Sequence, residues 1–342
     1  MIYSLNYVNL IQAGMITTGI MGAILLWLSK PNEFRGIALT FAMIAIASLI
    51  NILEETGLTR DYYLISPIFI MLFGPAIFLS VKLIIDKKIE QKAYWHFFPA
   101  LPLLMMTSYT STVIAIGTLW RLAYAFLTVW TLINYKKELD EQRSDSDDHS
   151  LNWLVWILVI TALFNFIDLV RLNTQHLLPY ALNVIGQAVN NAIWLIISMI
   201  IIIKLQLQQS TPVIEDLFKP KEEKNTSEAD DYQTLFTELD HLVQKNNWFL
   251  EPRISLSDIS HKTGLNIRDI SRAINLVTKK SYNEYINQYR VDFVCQKIKD
   301  NPNQSILDIA FEAGFSSKAS FNKVFKELTG TTPSQYKSSL LS

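Results

Sequence analysis

Residues 305–336 read SILDIAFEAGFSSKASFNKVFKELTGTTPSQY, and their spacing decides the character of the C-terminal part of this 342-residue chain. Ile306, Asp308, Ile309, Ala310, Gly314 and Phe315 stand at the offsets of two short helices joined by a tight turn. The small Ala310 lets the helices approach, Gly314 can adopt the left-handed conformation of the turn, and Phe315 plugs the angle between them. Fifty residues upstream the pattern recurs as Leu256, Asp258, Ile259, Ser260, Gly264 and Leu265. Each turn is followed by a helix with an apolar inner face, Ile270 and Ile274 in the first copy, Phe321 and Phe325 in the second. Two helix-turn-helix units are predicted. Residues 282–299, continuously amphipathic and roughly 27 Å long as a helix, join them.

The outer faces of the two second helices are basic and amide-rich. The first carries Arg268, Arg272 and Asn275; the second carries Lys318, Asn322, Lys323 and Lys326, with Ser317 and Ser320 at its start. Arg pairs bidentately with guanine and Asn with adenine in the major groove, whereas Lys mainly meets phosphate. A connecting helix of this length would set the two reading helices about one DNA turn apart, near 34 Å. Residues 252–342 hold 13 Lys and Arg against 8 Asp and Glu, a balance suited to a polyanion, although the whole chain has a net charge of -1. Upstream, Leu235, Phe236, Leu239 and Leu242 form one helical stripe that Trp248 and Phe249 close.

The 305–336 stretch resembles the C-terminal signature of the AraC/XylS family of bacterial regulators, and residues 254–290 resemble its first helix-turn-helix unit. The resemblance covers about the last hundred residues and implies a seven-helix DNA-binding domain and transcriptional control. Two positions depart from the family pattern. Lys279 stands where glycine is frequent, as the counterpart of Gly330, so a non-glycine residue is expected in a strained turn; Val294 replaces a frequent small alanine. The N-terminal part does not resemble the cupin-like domain of soluble members and is similar in architecture to the multi-span sensors of membrane-bound ones.

Half of the residues are hydrophobic, and the excess lies almost wholly before Gln208. Seven stretches there are candidate transmembrane helices: 8–28, 36–53, 62–85, 94–107, 110–135, 151–172 and 178–203. The fourth is short and carries Pro99 and Pro102. The segments after the first, third and fifth hold Lys30, Arg35, Lys82, Lys87, Lys88, Lys92, Lys136, Lys137 and Arg143, whereas the opposite loops hold Arg60 and Arg171. That asymmetry predicts an external N-terminus and a cytoplasmic C-terminus in a bacterial inner membrane. The start of the chain lacks the basic region of a cleavable signal peptide and reads as a retained helix. Residues 206–231 are polar and acidic, with Pro212 and Pro220, and read as a flexible linker reaching roughly 25 Å. The expected architecture is all-α: a seven-helix transmembrane sensor at 1–205, a linker at 206–231 and a DNA-binding domain at 232–342.

Polar groups inside spans are costly and demand a reason. Asn183, Gln187, Asn190 and Asn191 share one face of the seventh span; Thr161, Asn165 and Asp168 share one face of the sixth; Arg121 and Tyr124 lie in the fifth. One reading is interhelical glue, with an ion pair between Arg121 and Asp168. The other is a pocket for a small polar or anionic ligand built from Arg121, Tyr124, Asn165, Asp168, Asn183, Gln187 and Asn190. No catalytic motif is present, the histidines at 96, 149, 176, 241 and 261 do not converge, and no cofactor or metal site is expected. Cys295 is the single cysteine, which excludes an intrachain disulfide. The sequence therefore predicts a membrane-bound DNA-binding transcription regulator with operator DNA, the bilayer, RNA polymerase and a second copy of itself as partners. The alternative is a transporter-like or receptor bundle whose DNA-binding tail reports occupancy.

Overall fold

The computed structural model describes residues 6–60, 63–89, 91–106, 109–174, 177, 179–208, 212 and 228–341. Among the described residues, fourteen α-helices and several 3-10 turns account for the regular structure, and there is no strand, only an isolated antiparallel bridge between Arg143 and Ser255. The chain divides into two compact units. One comprises Met1–Ile133 and Leu151–Val213, the other Asn134–Ser150 and Ile214–Ser342.

In the first unit α1 (Tyr7–Ser29) and α2 (Pro31–Glu55) are separated by Lys30 alone. Asn6 caps α1 through the amides of Val8 and Asn9, and Pro31 opens α2 at a position whose missing N–H costs nothing. The two helices lie close enough that a Cβ on Gly19 would come within 2.8 Å of the Phe41 carbonyl oxygen. The helices α3 (Phe69–Asp86), α5 (Thr110–Gln142), α6 (Asn152–Thr174) and α7 (Tyr180–Leu207) follow, with α7 packing on α1 and α6. By length and apolarity six described helices suffice to cross a membrane: α1, α2, α3 with its preceding turn, α5, α6 and α7.

The predicted fourth stretch takes a different form. It folds as a 3-10 helix, Gln91–Phe97, followed by the five-residue α4 (Ala100–Leu104). Pro99 is the N-cap of α4 and Pro102 lies in its first turn, where a proline is tolerated, so the prolines break the stretch into two pieces. Conversely, α5 continues seven residues beyond the expected end of its span, and the boundary between the two units falls inside it. Of the expected linker, residues 209–211 and 213–227 lie outside the described residues; α7 ends at Leu207 and α8 (Glu228–Lys245) begins at Glu228.

The second unit has two cores on one helix. Leu239 and Val243 of α8 pack with Phe249, with Leu256 and Ile259 of α9 (Leu256–Thr263), and with Ile270 and Ile274 of α10 (Ile267–Thr278). Tyr282, Tyr285 and Ile286 on the first half of α11 (Tyr282–Asp300) complete that core. Val291, Val294 and Ile298 on its second half face α12 (Ile306–Glu312) and α13 (Lys318–Thr329), through Ile309, Ala310, Phe321 and Phe325. The short α14 (Pro333–Leu341) closes the chain, with Tyr336 edge-on to Phe325.

Candidate functional site: the paired reading helices and the bundle cavity

The first unit of the pair starts with a reciprocal cap in which Ser255 and Asp258 satisfy each other's amides. Gly264 ends α9 at φ 74, and the Ser260 hydroxyl donates to the Leu265 carbonyl at 2.6 Å, so Ser260 is small and also ties the turn. The Asn266 side chain then caps α10 by accepting from the Arg268 amide. α10 buries Ile270, Ala273 and Ile274 and leaves Arg268 and Arg272 exposed, with Asn275 half-buried. The Arg272 guanidinium lies 5.2 Å from the centre of the Tyr232 ring on α8.

In the second unit Gly314 has φ 88, and a Cβ there would sit 2.7 Å from the Leu250 carbonyl oxygen. Ser317 caps α13 by accepting from the Ser320 amide. Lys318, Asn322, Lys323 and Lys326 are exposed along one side of α13, whereas Ser320 is buried and faces inward. At the C-terminus of α10, Lys279 occupies the left-handed region at φ 57, in the role that Gly330 fills after α13 at φ 76. The expected strained turn is therefore present.

Arg290, at the middle of α11, is 1 % exposed and was not singled out as a functional residue by sequence reasoning. Its Nε donates to the Phe249 carbonyl at 2.8 Å and a terminal nitrogen to the Glu251 carbonyl at 2.9 Å, while the guanidinium lies over the Phe315 ring. It thus joins a loop of the first core to the turn of the second. Burial lowers its pKa to about 10, which leaves it charged at neutral pH. A basic residue at an interior helical position was the available signal.

A second feature absent from sequence reasoning is the docking of residues 134–150. Ser144 donates its amide and hydroxyl to the Ile254 carbonyl at 3.2 and 2.8 Å. Its own carbonyl accepts from Asn283 and Asn287 at 2.9 and 3.2 Å. From this anchor three acids extend over the two reading helices. Glu141 accepts from Asn275 at 2.8 Å, Asp147 from Lys323 at 2.8 Å, and Asp148 from Ser316 and Ser317 at 2.5 and 2.7 Å. Burial would raise the Asp147 pKa, but Lys136 and Lys323 hold it below the ordinary carboxylate value.

The family described as "Helix-turn-helix domain" matches residues 259–339, which take in both turns, α10, α11 and α13. The chain is 33 % identical over 90 residues to the transcriptional activator AarP of Providencia stuartii, covering 26 % of this chain and 64 % of AarP. It is also 33 % identical over 101 residues to the transcriptional regulator ExsA of Pseudomonas aeruginosa, covering 30 % and 33 %. The C-terminal unit carries an AraC-type helix-turn-helix domain. A third relative, the Msm operon regulatory protein of Streptococcus mutans, is 32 % identical over 84 residues, 25 % of this chain and 30 % of its own. The chain thus spans just under two thirds of AarP and about a third of the other two. What the AraC-type domain resembles are transcriptional regulators, a class without enzymatic chemistry. No solved structure matches the chain.

In the first unit the polar residues divide between a cavity and other contacts. Arg121, Thr161, Asp168, Asn190, Asn191 and Trp194 contribute to the lining of a cavity of about 250 Å³ whose walls are otherwise mostly apolar. Asp168 is paired with Arg171 at 2.8 Å, and Asn190 donates to it at 3.4 Å. The buried Nε of Arg121 has no hydrogen-bond partner among the described residues, and its guanidinium faces the Trp194 ring at 6.0 Å. Gln187 instead donates to Glu55, which also receives Asn9 and Gln12 at 2.7 and 3.0 Å. Tyr124 bonds His96 at 2.6 Å, Asn165 is buried, and the Asn183 carbonyl accepts from Arg171. The structure therefore brings Arg121, Asp168 and Asn190 of the predicted set to one cavity. Among the described residues no group of His, Cys, Asp and Glu could hold a metal ion.

Proposed function

We propose that this chain is a membrane-bound, sequence-specific transcription regulator. In this reading residues 1–205 receive a signal, 206–231 link, and 232–342 bind operator DNA. The observation that carries it is the pair of reading helices on one α11, α10 with exposed Arg268 and Arg272 beside a half-buried Asn275 and α13 with exposed Lys318, Asn322, Lys323 and Lys326, in a region similar to named transcription regulators. Arg268, Arg272 and Asn275 would read base edges in one major groove and Asn322 in the next, while Lys318, Lys323 and Lys326 would mainly meet phosphate, as would Ser317 at the start of α13. AarP is an activator by name, which supports RNA polymerase as a partner.

Membrane location is supported by the six long apolar helices and by large apolar side chains that point outward, such as Phe126 at 70 % and Trp156 at 69 % exposure. The charge asymmetry favours a cytoplasmic C-terminus, which requires residues 91–104 to cross as well. At about 2.0 Å per residue the 3-10 helix Gln91–Phe97 reaches about 14 Å and α4 adds about 7.5 Å, so with their link in line the stretch reaches on the order of 25 Å, somewhat short of a hydrocarbon thickness of about 30 Å. The cavity suits a small anionic ligand with an apolar body: Arg121 supplies a buried cation, and Asn190, Asn191 and Trp194 give orientation and contact. Ligand binding that favours association of two bundles would raise the effective concentration of one DNA-binding domain beside its homodimer partner on a two-site operator.

Electrophoretic binding to selected operator DNA tests the reading directly. Arg272→Ala should cost about 1 to 3 kcal/mol and relax preference at one position, whereas Lys326→Ala should weaken all sequences alike and lower the salt slope by about one. Equal losses on operator and random DNA for both variants would refute the assignment. Alkaline phosphatase fused after residue 210 should be inactive, and fused at Leu58 active; the reverse pattern overturns the orientation. Arg121→Leu should abolish the response of a reporter gene while leaving insertion and DNA binding intact.

A further inference from the structure

We infer that the acidic segment 141–148 is a built-in competitor for DNA, docked on the reading surface of the same chain. This rests on the reading of that surface as the DNA-binding one. Three of the side chains named for DNA contact, Asn275, Ser317 and Lys323, already hold a carboxylate. The contacts divide as those to a duplex would. Glu141 takes the amide of α10, a group suited to a base edge, with the Ser271 hydroxyl at 3.4 Å. Asp147 and Asp148 take the lysine and the paired hydroxyls at the start of α13, where a phosphate would be bound.

The placement is not a loose surface encounter. The Ser144 backbone bridges to Ile254, and its hydroxyl and carbonyl are gripped by Arg290, Asn283 and Asn287, all buried or nearly so. Asp145, 1 % exposed, is clamped by Arg143 at 2.8 and 3.0 Å and by His149 at 3.2 Å, which fixes the curvature of the segment. Lys136 holds Asp140, Ser146 and Asp147 together. The anchor belongs to the segment's own interior, so the three outward acids are presented in a set geometry. A duplex that engages Lys323, Ser317 and Asn275 must displace them, and displacement leaves Arg290 with its bonds to Phe249 and Glu251 intact.

The test uses the full-length chain in nanodiscs and a mixed-sequence DNA duplex, read by fluorescence anisotropy at fixed salt. The triple variant Glu141→Gln, Asp147→Asn, Asp148→Asn should bind at least about tenfold more tightly than wild type, with a salt slope steeper by about one because Lys323 is released to phosphate. A charge-matched control, Glu238→Gln, Asp292→Asn, Asp300→Asn, should gain far less. Equal gains in the two variants would overturn the competitor while leaving DNA binding in place; no binding by any form would overturn both readings. In the unmodified protein, saturating duplex should speed hydrogen exchange at the Ser144 amide and its neighbours. Unchanged protection there with DNA bound would also overturn the inference, without relying on any substitution.

Discussion

Single residues separate positions that look equivalent along the chain. Gly264 and Gly314 occupy matching places in the repeat, and both have a positive φ. Only Gly314 also faces a neighbouring backbone, whereas a Cβ on Gly264 meets nothing within 4 Å. Gly264→Ala should therefore cost about 1 kcal/mol, the left-handed penalty alone, and Gly314→Ala distinctly more. Lys279→Gly should leave stability unchanged or raise it by up to about 1 kcal/mol. Native-state hydrogen exchange of the α11 core amides would check all three. The need for glycine was legible from the repeated spacing; the crowding at Gly314 was not, because Leu250 comes from a turn far away in sequence. Asp145 gives a pH prediction. Burial would raise its pKa, but hydrogen bonds from His149 and Arg143 and their charge hold it at about 2, below the ordinary 3.8. A depressed carboxylate stabilises fully above its unfolded value and loses that contribution as pH falls through the folded one. Asp145→Asn should thus destabilise the second unit by about 2 kcal/mol at pH 7 and by almost nothing near pH 2, as measured by thermal unfolding.

At the level of elements, α11 shows how two similar halves become one body. Its first half belongs to one core and its second half to the other, and Arg290 stands between them. Replacing Arg290 with Met would keep the volume but leave the Phe249 and Glu251 carbonyls without their donor. The expected loss is about 1 to 3 kcal/mol. Amide exchange should then show α12 and α13 opening at lower free energy than α9 and α10, instead of both halves opening together. The long helix and both turns were readable because periodicity and capping residues are local signals. The bundle was readable to the extent that apolar length is. The stretch holding Pro99 and Pro102 departed from the expected single helix because its prolines favour a 3-10 turn followed by a new helix start. The polar faces of the sixth and seventh spans were visible in sequence, yet the partner of Gln187 was not, since Glu55 lies 132 residues away.

Across the whole molecule the chain passes between the two units three times, within α5, between residues 150 and 151 just before α6, and in the stretch between α7 and α8. The α5 side and the α7–α8 stretch should differ under insertion. On the proposed reading of residues 206–231 as a linker, ten Gly and Ser residues placed after residue 220 should weaken a transcriptional reporter's response only slightly. Four placed between Gln142 and Arg143 should raise expression without stimulus if the target is activated, and deepen repression if it is repressed, since they separate Glu141 from the Ser144 anchor. A complete loss on the first insertion would instead mean that the linker transmits the signal as a rigid element. In the sequence, residues 136–143 stand out for the cationic loop charge of Lys136, Lys137 and Arg143, whereas Glu141, Asp147 and Asp148, one to seven positions apart, carry no period that points to a partner in another part of the chain. Their hydrogen bonds to Asn275, Ser317 and Lys323 have an evolutionary corollary. On the proposed reading, a substitution of Asn275 that alters operator choice, or of Ser317 or Lys323 that alters phosphate contact, would also alter the resting state, so drift in DNA binding would call for a matching change in 141–148. Lineages carrying this arrangement should show the two segments covarying, and a reading helix grafted alone from a relative should arrive unsilenced.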